Sequence, residues 1–113
     1  MNDVTPEIVT LLADELGVRV STVRPPSPPE EFVMVYRSGG SSTRFVDNPR
    51  YLVHAWAGSD IDAARLIQSA SDVMLSLPDV IPNVAHATQD TMYRNDIDGA
   101  HRWSAAFVLV VNR

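Results

Sequence analysis

Any catalysis or metal binding in this chain would have to be built from its histidines, carboxylates and hydroxyls, and their spacing supports neither. No two of the three histidines, His54, His86 and His101, stand at a separation such as HxxxH. That separation puts two imidazoles on one helix face to share a metal. His54 lies on an alternating segment and reads as a satisfied or partly exposed histidine. Asp96-Ile97-Asp98-Gly99 superficially resembles a calcium loop. The first ligand position of such a loop would fall on Arg94 and the bidentate acid on Ala105, so the pattern fails. Ser38 to Ser42 is glycine-rich but lacks the GK[ST] ending that holds phosphate and magnesium, and a hairpin tip is the better reading. There is no GxSxG elbow, and a chain without cysteine has no thiol nucleophile. Asp60 and Asp62 could in principle pair as acid and base, yet a helix N-terminus accounts for both. The expectation is a protein with no catalytic, cofactor-binding or metal-binding residues, and not an enzyme.

The elements that would position such residues are clearer than the residues. Tyr51, Val53, Ala55 and Ala57 alternate with Leu52, His54 and Trp56, the period of a strand with two usable faces. Gly58 breaks that strand, and Ser59 stands where an N-cap belongs. Ala63, Leu66, Ala70, Val73 and Leu77, widened by Ile67 and Met74, then make the apolar face of a long helix that Pro78 ends. Upstream, Thr5-Pro6-Glu7 starts a helix with Thr as N-cap, Ile8, Leu11, Leu12 and Leu16 mark its face, and Gly17 stops it. Val18 to Val23 reads as a short strand, and Arg24 to Glu31, with four prolines, as a stiff extended loop. Phe32 to Arg37 is a strand and Ser38 to Ser42 a turn. Thr43 to Asp47 then leads through a second turn at Asn48-Pro49 into the central strand. After the helix, Asp79 to Pro82 is a connection, Asn83 to Tyr93 a strand, and Asp98-Gly99 a hairpin turn before a last strand, His101 to Val111. The fold class is α+β: one domain, residues 1–113, with a mainly antiparallel sheet of about five strands and two helices, in the order α-β-β-β-α-β-β.

Fourteen acids stand against nine arginines, a net charge of −5. Residues 1–57 hold seven acids and five arginines, residues 58–113 seven and four, so neither half is a basic patch. This argues against a dedicated nucleic-acid binder, which needs clustered positive charge. The longest apolar run, Ala105 to Val111, is too short to span a membrane as a helix. No secretory signal is visible, and the lack of cysteine fits a cytoplasmic protein. One pattern conflicts with a self-contained globule. Phe32 to Tyr36 and Ala105 to Val111 are apolar at every position, whereas a strand with one wet face alternates. Either a helix covers each face of the sheet, or another subunit buries the second face or an edge. The short first helix favours self-association.

In the order of its features the chain resembles the tail terminator, or tail completion, proteins of long-tailed phages (siphophages) that infect actinobacteria. The features are a helix closing with LADELG, a strand with a proline-rich bend, VSTVRPPSPPEEFV, and the hairpin VYRSGGSSTRFVDNPRYLVHAWA. The helix DIDAARLIQSASDVMLSLP and the hairpin MYRNDIDGAHRWSAAFVLVVNR complete it, so the likeness covers nearly all of residues 5–113. The resemblance implies a structural virion protein made in the host cytoplasm and placed at the head–tail interface. It would form a homo-oligomeric, hexameric ring on the major tail tube protein, end tube polymerisation, and meet the head-side connector or stopper protein. DNA would pass through the ring lumen without sequence-specific binding, a channel that an acidic protein suits, and the family has no catalytic residues or cofactors to carry over. The alternatives are a neck or head–tail joining protein of similar size and, from a different class, a small bacterial ligand-binding domain or enzyme.

Contacts are expected in exposed segments that a rigid sheet positions. These are the loop containing Pro25, Pro26, Pro28, Pro29, Glu30 and Glu31, the hairpin tip from Arg37 to Arg44, and the loop containing Arg94, Asp96 and Asp98. Arg37 and Arg44 should flank a mobile hairpin that orders on assembly. Amide hydrogen exchange at residues 38–43 is then expected to slow in the tail-bound protein, and equal rates in free and bound forms would contradict the expectation.

Overall fold

The computed structural model describes residues 3–113. Helix α1 spans Thr5–Leu16, strand β1 Arg19–Ser21, β2 Phe32–Ser42 and β3 Val46–Ala57. Helix α2 spans Asp60–Leu75, the one-turn helix α3 Leu77–Val80, β4 Val84–Arg94 and β5 His101–Asn112. The five strands form one sheet in the order β1-β2-β3-β5-β4. Only the β1–β2 pair is parallel, and the other three pairs are antiparallel. This is the α+β class and element order expected, with a third, very short helix added.

Local chemistry explains most boundaries. Ser59 Oγ accepts from the Asp62 amide at 3.2 Å and so caps α2 as read, with Asp60 and Asp62 in the first turn. Gly17 closes α1 in the left-handed region at φ 66°, where a side chain would be strained. Asp98 and Gly99 both take positive φ, the tight hairpin turn their sequence announces. Four expectations need correction. Val4, not Thr5, is the N-cap position of α1, and Asp3 Oδ1 accepts from the Thr5 amide at 2.9 Å. Thr5 Oγ1 instead meets the Tyr51 hydroxyl at 2.7 Å, tying the helix start to β3. The first strand is trimmed to Arg19–Ser21. Helix α2 ends at Leu75 rather than at Pro78, Ser76 Oγ donates to the Val73 carbonyl at 2.7 Å, and Pro78 helps start α3, which runs into the segment from Asp79 expected to be a plain connection.

The fourth correction concerns the β2–β3 hairpin. Ser38 to Ser42 is not a turn and Asn48-Pro49 is not one either. β2 runs on to Ser42 past a bulge at Ser38, Gly40 stands opposite Pro49, and the chain reverses only at Thr43, Arg44 and Phe45. Glycines mislead as turn signals when they serve a bulged strand instead, and the hairpin between Arg37 and Arg44, expected to be mobile, is paired with β3 through Ser42. Gly40 has φ 116°, and a Cβ there would lie 2.1 Å from the Asn48 carbonyl oxygen.

Helices α1 and α2 pack on each other and on the same face of the sheet. Ile8, Leu12, Ile67, Ala70 and Met74 meet Val33, Val35, Tyr51, Val53, Ala105, Phe107 and Leu109 there, all nearly or fully buried. The arrangement with one helix on each face is thereby excluded. Gly40→Ala is expected to lower stability by roughly 1–3 kcal/mol through backbone strain and the clash with Asn48. Gly39→Ala, whose Cβ would meet nothing within 4 Å, should cost under about 1 kcal/mol. Urea unfolding of the two variants checks the contrast.

Candidate functional site

The sheet face turned away from the helices is the candidate interface. Alternation assigns to it Phe32, Met34 and Tyr36 of β2, Leu52, His54 and Trp56 of β3, and Ser104, Ala106, Val108 and Val110 of β5. Register stacks them across strands: Phe32 opposite Trp56, Met34 opposite His54, Tyr36 opposite Leu52, and His54 opposite Ser104. At the Ala57 end this face is closed. Phe32 is fully buried, its ring 5.5 Å from that of Trp56, and the guanidinium carbons of Arg24 and Arg102 lie 5.2 and 5.4 Å from the Trp56 ring. Further along, Met34, Tyr36, Leu52, Val108 and Val110 remain partly exposed side by side, with neither α1 nor α2 over them. An apolar strip of that kind on a sheet is what a partner surface offers.

One polar group crosses the strip. His54 Nδ1 is 2.6 Å from Ser104 Oγ and its Nε2 3.3 Å from the Tyr36 hydroxyl. A histidine at hydrogen-bond distance from a serine invites a nucleophile–base reading. The second ring nitrogen faces a phenol rather than a carboxylate, and Ser104 has no solvent exposure, so no substrate could reach the hydroxyl. The pair joins β3 to β5 and satisfies a buried imidazole. Burial, with the nearby positive charge of Arg102 adding to it, lowers the His54 pKa to about 4.

The exposed segments expected to make contacts fall at two ends of a molecule about 43 Å long. The loop with Pro25, Pro26, Pro28, Pro29, Glu30 and Glu31 comes together with the β4–β5 turn, where Arg24, Pro29, Glu30, Trp56 and Gly99 to His101 border one depression. Arg94 and Asp96 at this end are already partnered: Arg94 reaches Asp60 at 3.1 Å and Asp96 at 2.8 Å, and Asp96 also accepts from the Arg102 amide. Asp98 shapes the turn. Arg37 and Arg44 lie toward the opposite end. Arg37 grips the buried Asp47 with two bonds, 2.7 and 3.0 Å, while Arg44 extends over the exposed Phe45 ring at 5.7 Å. The Asp47 clasp and the Ser104–His54 link escaped sequence reasoning, because both join strands whose register no local pattern states.

Of the three histidines, His86 is exposed on β4 and His101 is half-buried on β5. Among the described residues no group of three His, Asp or Glu side chains could hold a metal ion, and no helix is long and apolar enough to cross a membrane.

No protein-family model matches the chain, and no curated protein matches it. Among solved structures, a chain from the virion of a native gene transfer agent particle shares the fold, with a TM-score of 0.65. Sequence identity is 13%, over 91% of this chain and 85% of that one. At that identity the likeness is one of architecture.

His54 makes stability depend on acid. Its folded pKa lies below the ordinary histidine value, so the unfolded chain binds the extra proton between about pH 6.5 and about pH 4. This part of the stability is complete above the unfolded pKa and is lost as pH falls through that window. The drop in urea midpoint from pH 7 to pH 4.5 is expected to be smaller in His54→Gln than in the wild type.

Proposed function

We propose that this chain is a structural virion protein that works by assembling with copies of itself, and that it acts as a tail terminator. In this reading the copies form a hexameric ring on the last ring of tail-tube subunits. The ring ends tube polymerisation and presents its far side to the head connector, with DNA passing through its lumen. The observation that carries the virion reading is the fold shared with a chain of a virion particle over nearly the whole length. The self-association reading rests on the half-bare strip of Met34, Tyr36, Leu52, Val108 and Val110, apolar surface that a monomer leaves wet. A non-catalytic role is consistent with a His54–Ser104 pair that is sealed and lacks a carboxylate partner.

A neck or head–tail joining protein would share every feature above and would bind the portal side instead. Electron microscopy of the protein mixed with tail-tube subunits separates the two: a terminator caps tubes at one end, and a joining protein leaves them bare. Leu52→Arg together with Val108→Glu is expected to leave the fold intact by circular dichroism, since both side chains are only partly buried. The same double variant should reduce capping or self-association at least about tenfold, the scale of an interface anchor residue. Undiminished assembly by the folded variant would count against the strip as an interface.

A further inference from the structure

We infer that the tip of the β2–β3 hairpin is a plug, and that its socket is the groove between α1 and α3 on a second copy of this chain. The inference rests on the self-association reading and adds a second contact to the strip on the open sheet face. Phe45 is 72% exposed, the most exposed large apolar side chain among the described residues, and the tip around it is built rather than loose. Thr43 Oγ1 accepts from the Val46 amide at 3.1 Å, and Arg113 donates to the Thr43 carbonyl at 2.8 Å and to Ser42 Oγ at 3.1 Å. The Arg113 amide also donates to the Phe45 carbonyl at 2.9 Å. A pre-organised aromatic at a hairpin tip loses little entropy on docking.

The socket has the complementary character. Glu7, Leu11 and Asp14 on α1 and Val80, Ile81 and Pro82 at α3 line an open groove of about 520 Å³. Its floor is apolar, Val80 is 52% exposed, and two acids and no base stand on its wall. The tip is the electrostatic converse: Arg44 and Arg113 flank Phe45, and residues 39–46 contain no acid. Among the described residues, neither Arg44 nor Glu7 nor Asp14 has an ion-pair partner. Burial of Phe45 would supply affinity, and the charges orientation and partner choice. Plug and socket are different surfaces, so the contact is heterologous, the kind that propagates around a ring.

The absence of cysteine allows a clean test by cross-linking. Ser41→Cys places a thiol beside the tip and Thr10→Cys one in the groove, both at exposed positions. The two proteins are mixed, where light scattering finds the wild type assembled, and joined with a short bismaleimide. The mixed dimer is expected to exceed either homodimer at least about fivefold. Phe45→Ala in the Ser41→Cys chain should abolish the excess. Arg44→Glu in that chain should reduce it, and Glu7→Arg with Asp14→Arg in the Thr10→Cys chain should restore it. A mixed dimer no more abundant than the homodimers, in protein that does assemble, overturns the plug and socket but leaves self-association standing. A wild type that stays monomeric at high concentration and on tail-tube subunits overturns both.

Discussion

Strand β3 carries large apolar side chains on both faces, and both long helices lie on one of them. Most of the molecule follows from this asymmetry. On the helix side, Tyr51, Val53 and Ala55 sit in a closed core with Ile67, Ala70 and Phe107. At about 25 cal/mol per Å² of apolar surface removed from water, this layer is the main favourable contribution to folding. On the other side the same strand offers Leu52, His54 and Trp56, of which the protein buries His54 and Trp56 and covers Leu52 only in part. Phe32 and the arginines over Trp56 close the Ala57 end; the middle of the face stays half-open.

Polar groups on both faces of the sheet tie its elements together. His54 spans β3 to β5 through Ser104 and reaches Tyr36 on β2. Arg37 spans β2 to β3 through Asp47, a carboxylate with only 4% exposure that would be costly to bury unpaired. Trp103 donates to Asp60 at 3.0 Å, joining β5 to the start of α2, and Arg94 reaches the same carboxylate. Asp60, a candidate acid by type, is thus held by an indole and a guanidinium. His54, Ser104, Asp47 and Asp60, side chains of the types that carry chemistry, are engaged in contacts between elements of the fold.

Those surfaces sit where the scaffold is stiff. The β2–β3 hairpin is paired through Ser42, and Gly40 lets its backbone pass close to Asn48 where any other residue would clash. The result is a braced arm ending in Arg44 and Phe45 rather than a floppy loop. At the other end the proline-rich loop and the β4–β5 turn meet, held by prolines and by the Arg94–Asp96 pair. The molecule thus has two shaped ends and one half-bare sheet face.

What the residues alone determined was local: the faces of α1 and α2, the Ser59 cap, the Gly17 stop, the Asp98-Gly99 turn, and strands too apolar to have one wet side. Each is decided within a few positions, by periodicity or by a side chain bonding its own backbone. The sequence misplaced the hairpin turn and the end of α2, because Gly39-Gly40, Asn48-Pro49 and Pro78 carry turn chemistry that strand pairing and a one-turn helix override. Only the tertiary structure decided that both helices share a face, that β1 runs parallel to β2, and that His54 finds Ser104 and Arg37 finds Asp47. Those outcomes depend on chain crossings and on register between distant segments. A local pattern can state that a surface must be buried, but not against what.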